Sequence, residues 1–319
     1  MANLFSIVDN TINMLDAEGF AKLLGTTPTD IERICGPLLR EYDFRYVVLN
    51  NEELYDTLLE VSKTIDNTSL SSSGKDRLKD WEEGWEENLR DFVGKNYDLS
   101  ALVPKYMHKF KIRRLFLKYI RPFDNDFEVN FYSVYRYYLF KKYLQKFECI
   151  YEFGCGTGYN LVIMAQLFPD KKLFGLDWAE ASVKLVNTIA TVYGFNLKGR
   201  RFDYFHPDYT LDIPENSAFI TLNSMEQIGT NYDMFLNFTL KKKPALCINS
   251  EPILELYDEN NLLDYLAMKY HIKRNYLKGY LNTLKKLEQN GKVEILQEQR
   301  VQSGNMFHDG YSIVIWRIL

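Results

Sequence analysis

Residues 148–160, ECIYEFGCGTGYN, set an apolar, β-favouring run directly before three glycines at alternate positions. Cys149, Ile150, Tyr151 and Phe153 suit a buried strand. Gly154, Gly156 and Gly158 have no Cβ, so backbone can approach a ligand there and φ can turn positive. After them Leu161, Met164, Ala165 and Phe168 recur at helical spacing. A strand, a glycine turn and a helix form the first unit of a nucleotide-binding α/β fold. Taken alone the turn also fits a tight turn in any α/β domain, and the carboxylates around it separate the two readings.

Three carboxylates narrow the ligand. Glu152 sits just ahead of the glycines, where it would repel a pyrophosphate but suit a cationic or amine-bearing ligand. KKLFGLDW (171–178) reads as a second strand ending in Asp177. That is about 20 residues beyond the glycines, where an acid holds ribose hydroxyls. A third strand ends in RRFDYF, with Asp203 placed to accept from an adenine amine. SAFITLNS (217–224) and PALCINSEPI (244–253) supply strands four and five. Residues 259–270 and 273–289 read as two helices, joined at YHIKRNY (270–276). KVEILQEQR (292–300) and YSIVIWRIL (311–319) make a terminal hairpin around the loop VQSGNMFHDG.

In this combination residues 148–319 resemble class I S-adenosylmethionine-dependent methyltransferases. The shared features are E-x-G-x-G-x-G, the acid ending strand two, the Asp after strand three, and the polar NSMEQ after strand four. The upstream region also looks like bacterial proteins loosely described as sugar or small-molecule methyltransferases. The resemblance implies a Rossmann-like seven-stranded methyltransferase sheet with a C-terminal antiparallel hairpin, and S-adenosylmethionine as cofactor. It implies that Gly154, Gly156 and Gly158 cradle the methionine and ribose, and that Glu152 orders the loop and the amine. Asp177 would bind the ribose, Trp178 would lie along the adenine, and Asp203 would reach the adenine amine. Asn160, Tyr204 and Asn223 complete the cofactor set.

At 319 residues the chain exceeds one such core, so residues 1–146 form an extension, expected to be mainly helical. We divide the chain into a helical module (1–70), a helical linker and cap (71–146) and the cofactor-binding core (147–319). Cys35, Cys149, Cys155 and Cys247 have no paired or zinc-type spacing and read as free thiols. No basic-then-apolar leader and no run near ~18 apolar residues is present, so the expected location is cytoplasmic, without a membrane span or a metal. The Lys-, Asn- and Tyr-rich usage suggests a bacterial source.

LFSIVDNTINML is amphipathic, and GFAKLLGTTPTDIERI follows a helix-turn-helix pattern with Gly25 at the turn and Thr29 or Asp30 as cap. DFRYVVLN (43–50) could form a wing. Residues 1–60 carry four Lys/Arg against eleven Asp/Glu, which opposes DNA binding, so packing or homodimerisation is the expected role. DNTSLSSSGK (66–75) reads as a linker. The next helix, 76–93, aligns Trp81, Trp85, Leu89 and Phe92 on one stripe for packing on the core. Residues 105–146 hold eleven Lys/Arg, three Asp/Glu and many aromatics, a composition suited to capping an anionic substrate with a planar or sugar-like face.

Ligands of open α/β sheets lie beyond the carboxyl ends of the strands. That rule selects Asn223, Ser224, Glu226 and Gln227 after strand four and Glu251 after strand five. The expected substrate contacts are Tyr132, Arg136, Arg274 and Tyr276, and the candidate bases are His271, His308, Glu226 and Glu251. No NPPY-type amine motif follows strand four, so O-methylation of an acidic, sugar- or phosphate-containing small molecule is the leading reading. A nicotinamide-dependent oxidoreductase is the alternative, opposed by Glu152 and the hairpin. A cofactor-binding regulator is a third, opposed by the acidic N-terminus.

Overall fold

A computed structural model of the chain describes residues 11–319. In chain order the first half holds β1 (Asn13–Met14), α1 (Ala17–Leu24), α2 (Pro28–Glu41), β2 (Arg45–Val48), α3 (Asn51–Asp66) and α4 (Leu78–Gly94). β3 (Arg113–Leu115), β4 (Lys118–Pro122) and α5 (Phe127–Tyr143) lead into the core. There follow β5 (Cys149–Phe153), α6 (Tyr159–Leu167), β6 (Lys172–Asp177), α7 (Glu180–Tyr193), β7 (Leu197–Arg201) and β8 (Ser217–Leu222). The chain continues with α8 (Asp233–Lys242), β9 (Leu246–Glu251), α9 (Leu262–Arg274), α10 (Tyr280–Gln289), β10 (Val293–Gln299), β11 (Ser303–Asn305) and β12 (Ser312–Ile318).

The central sheet has the order β10-β12-β9-β8-β5-β6-β7. β7, β6, β5, β8 and β9 are parallel, and β12 runs antiparallel between β9 and β10. This is the expected Rossmann-like sheet with its C-terminal antiparallel hairpin. β5, β8 and β9 are buried throughout, because helices cover both faces. Successive side chains of β5 alternate between those faces. Ile150 joins the core shared with α5 and the N-terminal helices, whereas Tyr151 and Phe153 join the one formed with α8 and α10. Glu152 therefore enters the face of α5 and α6.

A second sheet, β1-β2-β4-β3-β11, crosses both boundaries expected near residues 70 and 146. β11, inside the terminal hairpin's loop, pairs with β3 of the upstream region. The upstream region is mainly helical, as expected, but its four short strands also make a small sheet that is completed by β11 of the C-terminal hairpin loop. β1 and β3 span two and three residues, too short to leave an alternating signature. The amphipathic helix expected from residue 4 lies mostly outside the described residues, and its end, Asn13–Met14, is strand β1.

α1 and α2 do form a helix-turn-helix. Gly25 closes α1 at φ 63°, and Thr27, not Thr29 or Asp30, caps α2 by accepting from Asp30 N–H. Their apolar faces, with Phe20, Leu24, Ile31 and Cys35, are buried in the core that includes Phe131 and Val134. On α2 Arg33 pairs with Asp30 and Arg40 with Glu32, so this helix presents no net positive face to phosphate. The full chain is expected to leave random duplex DNA unshifted in a gel at near-physiological salt; a retarded band that weakens steeply with added salt would overturn this. Among the described residues no helix is long and apolar enough to cross a membrane.

Candidate cofactor and acceptor site

The turn after β5 is built around two constraints. Gly154 adopts φ 68°, and its N–H donates to the Leu176 carbonyl of β6 at 2.6 Å. A Cβ there would overlap Ser224. Gly156 adopts φ 52° and donates to Asp177 Oδ2 at 2.9 Å, while Ala179 N–H donates to Oδ1 at 3.0 Å. Asp177 is thereby fixed at the end of β6 against the glycine turn. Burial raises its carboxyl to about 6, against those backbone hydrogen bonds, which favour the charged form.

Glu152 is fully buried, and Asn160 Nδ2 donates to its Oε1 at 2.6 Å. Its Oε2 has no hydrogen-bond partner in the protein. Burial pushes this carboxyl up to about 8, although Asn160 and Arg136 pull the other way. A buried acid with one free oxygen beside a glycine cradle suits a cationic partner. Arg136 is not the substrate cation expected: it is buried, stacks on Tyr159 at 3.5 Å, and donates to the Tyr159 carbonyl at 3.2 Å. It fixes the first turn of α6.

A cavity of about 640 Å³ runs from this turn across the carboxyl ends of the strands to the hairpin loop. Gly154, Gly156, Asn160, Asp177, Trp178, Tyr204 and Asn223 line one end. Tyr204 O–H and Ser224 Oγ lie 2.8 Å apart, and Ser224 Oγ donates to the Phe153 carbonyl at 2.9 Å. Asn223, at φ 54°, donates to the Gly310 carbonyl at 2.6 Å, joining β8 to the hairpin loop. Asp203 is engaged locally: it accepts from Phe205 N–H at 2.8 Å and contacts His206 Nδ1 at 2.9 Å. Gly158, at φ 75°, caps α6 and packs near Val186 and Ile189.

Tyr132, Glu226, Tyr270, Arg274, Tyr276 and His308 line the other end, so the cap, the α9 terminus and the hairpin loop meet there. The four candidate bases separate into two layers. Glu226 and His308 face the cavity; Glu251 and His271 stand behind them. Glu251 accepts from Ser224 N–H at 3.2 Å and Glu226 N–H at 3.3 Å, holding the turn after β8. Burial raises Glu251 to about 7. Burial, with the Glu251 charge, raises Glu226 to about 8. His271 lies in the last turn of α9, not in a pliable junction, because the helix continues to Arg274 and turns at Asn275, φ 52°. Its Nε2 contacts His308 Nδ1 at 3.2 Å.

Two features escaped the sequence. Trp81 and Trp85 of α4 stack at 5.2 Å and line the cavity instead of packing into the core; a Cβ on Gly156 would lie 3.0 Å from Trp85. Between them Glu82 accepts from the Glu180 and Ala181 N–H groups at 2.7 and 2.9 Å, capping α7. Only Asn88 and Phe92 of α4 are buried, so Trp81 and Trp85 are left to face the cavity. The serine-rich segment is also strapped down: Ser73 N–H donates to the Arg274 carbonyl at 2.7 Å, and Asn275 Nδ2 donates to the Ser73 carbonyl at 3.0 Å. Many cations of the cap are paired internally, Arg113 with Glu128, Arg121 with Glu53, and Lys105 with Glu87 and Asp91. Among cavity residues Lys109 and Arg274 remain from the basic stretches, and Arg274 already donates to the Tyr276 hydroxyl oxygen at 3.2 Å and to Ser71 Oγ at 2.6 Å.

No protein-family model and no curated protein matches the chain. Solved structures do. An O-methyltransferase from neocarzinostatin biosynthesis, in complex with S-adenosylmethionine and 2-hydroxy-5-methyl naphthoic acid, is 11% identical. That match covers 60% of this chain and 58% of the other, with a TM-score of 0.41. A SAM-dependent methyltransferase from Aquifex aeolicus is 13% identical over 57% of this chain and 88% of its own, with a TM-score of 0.41. The [4+2]-cyclase SpnF is 15% identical over 55% and 75%, with a TM-score of 0.39. At such identities and scores the likeness says nothing of reaction or substrate. The strand order and the antiparallel hairpin by themselves define the class I methyltransferase architecture.

Proposed function

We propose that the protein is an S-adenosylmethionine-dependent methyltransferase acting on a small-molecule acceptor. The observation that carries this is the cradle: two left-handed glycines, Asn160 and Asp177 line one cavity end, and behind Asn160 lies Glu152, a buried acid with a free oxygen. Glu152 would hold the amine, the turn's backbone the methionine, Asp177 the ribose and Trp178 the adenine face. When bound, the cofactor supplies a methyl group on a cationic sulfur, which departs as a thioether. The chain's part is to hold the acceptor oxygen among Tyr132, Tyr276 and Arg274 and to receive its proton at a group on the cavity wall. Arg274 and Lys109 on that wall support the finer reading, O-methylation of an acidic, sugar- or phosphate-containing molecule. Incubation with S-adenosylmethionine and acceptor pools of defined charge, with mass detection of a methylated product, tests it; products confined to uncharged acceptors would overturn the preference.

Calorimetry with S-adenosylhomocysteine, against NADH, tests the cofactor. Asp177→Ala removes charge-assisted hydrogen bonds of ~1.5–3 kcal/mol each, so affinity is expected to fall at least about tenfold. Affinity is also expected to weaken as pH drops through about 6, where Asp177 takes up a proton. Glu152, raised to about 8, should shed a proton beside the ligand's ammonium. The enthalpy at neutral pH should therefore vary with buffer ionisation enthalpy in the sense of proton release. Binding of NADH but not S-adenosylhomocysteine would replace this reading with the oxidoreductase one.

A further inference from the structure

We infer that His271 is a positioning residue: it locks His308 in the tautomer with the proton on Nε2, so that His308 donates a hydrogen bond into the cavity and Glu226 is the proton acceptor. The rings meet edge to face, 5.0 Å between centroids at 76°. One proton lies between His271 Nε2 and His308 Nδ1, which are 3.2 Å apart. Two neutral arrangements are open. If His308 Nδ1–H donated, the single proton of His271 would sit on its Nδ1. That atom is buried and has no partner in the protein. Its surroundings are aromatic, with the Tyr257 and Tyr276 rings at 5.4 and 5.6 Å. A buried N–H without an acceptor is rarer and more costly than a buried lone pair without a donor. The other arrangement avoids it: His271 Nε2–H donates, His308 Nδ1 accepts, and His308 carries its proton on Nε2. Burial holds both rings neutral, His271 well below the usual range and His308 at about 3; the Arg114 charge adds to burial at both and Arg274 adds to it at His308, while a backbone hydrogen bond with Asp309 pulls His308 the other way.

The consequence for the acceptor, which rests on the methyl-transfer reading, is a molecule with a hydrogen-bond-accepting oxygen beside its nucleophile. A carbonyl, carboxylate or phenolic oxygen would meet His308 Nε2–H and the neighbouring Arg274. Glu226, on the same wall, is the group left to receive the hydroxyl proton, which it does once ionised, towards and above about pH 8.

The geometry is testable without any ligand. The chain has four histidines, and His108 and His206 are exposed. In the His108→Gln/His206→Gln variant, imidazole 15N correlation spectra report the pair alone. The expected result is two Nε2–H rings, unchanged between about pH 5 and 8. Two Nδ1–H rings, or an imidazolium near neutral pH, would overturn the assignment. Adding His271→Phe, which keeps ring volume and removes the donor, should convert His308 to a tautomer mixture; a persistent Nε2–H ring would mean that His271 does not set it. Failure to bind S-adenosylhomocysteine would sink the functional proposal and leave these spectra unaffected.

Discussion

Gly154→Ala is expected to lower affinity for S-adenosylhomocysteine at least about 100-fold, read by calorimetry. Two costs combine. At φ 68° any residue with a Cβ is strained by roughly 1–2 kcal/mol. The new Cβ also collides with Ser224 Cβ and Oγ and comes within 3.3 Å of Tyr204 O–H. Ser224 cannot yield, because its Oγ bonds the Phe153 carbonyl and Tyr204, and its N–H bonds Glu251. Overpacking of this kind adds about 1–3 kcal/mol. The turn must move off the cavity or the strand ends must separate. Gly194→Ala supplies the comparison: φ is 66°, but nothing lies within 4 Å of a Cβ. It should lower thermal stability through strain alone and leave affinity where it was. If Gly154→Ala bound the ligand within about threefold of the parent, the cradle would be misplaced.

What could be read from the sequence was what is local. The β5–glycine–α6 unit, Asp177 at a strand end, the strand-end selection of Asn223 and Glu226, and the terminal hairpin all depend on neighbours within a few residues. What could not be read depends on distant partners. The basic stretch 105–146 looked like a reservoir of substrate cations, yet Arg114 is bound to Asp264 and Asp309, 150 and 195 residues away. Arg136 is taken up by the Tyr159 carbonyl and ring, 23 residues on. No periodicity encodes such pairs. The tryptophan stripe of α4 was legible as a stripe, but its target, the glycine turn, is set by how the cap folds back. His271, one of the four candidate bases, is set back from the cavity for a simpler reason. Nothing in YHIKRNY before Asn275 breaks a helix, so α9 runs on past His271 and buries that ring behind His308.

The pairing that hid Arg114 yields the largest expected loss of stability, on replacing Asp264 by Ala. Arg114 donates from Nε to Asp309 at 3.1 Å, from Nη2 to Asp264 at 2.8 Å, and from Nη1 to the Leu263 carbonyl at 2.7 Å. Arg300 donates to Asp264 Oδ2 at 2.6 Å and to Asp309 Oδ2 at 2.7 Å. Arg114 is 1% exposed and Asp264 fully buried. Two cations and two anions balance, and each element that meets at the acceptor end contributes: β3, α9 and the hairpin loop. Removing one carboxylate leaves the buried Arg114 and the partly buried Arg300 against a single carboxylate, a change that costs about 3–5 kcal/mol. Burial pushes Asp264 up, but the hydrogen bonds from Arg300 and the two arginine charges outweigh it and hold it below the ordinary value. A depressed carboxyl stabilises the fold above its unfolded value, near 3.9, and loses that contribution as pH falls through the folded one. The gap between parent and Asp264→Ala in urea unfolding should therefore be full from neutral pH down to about 4 and close below it. The exposed Arg33–Asp30 pair, broken by Asp30→Ala, should leave the midpoint unmoved. An Asp264→Ala loss below about 1 kcal/mol at pH 7 would show that the four charges do not act as one clamp on the loop that carries His308.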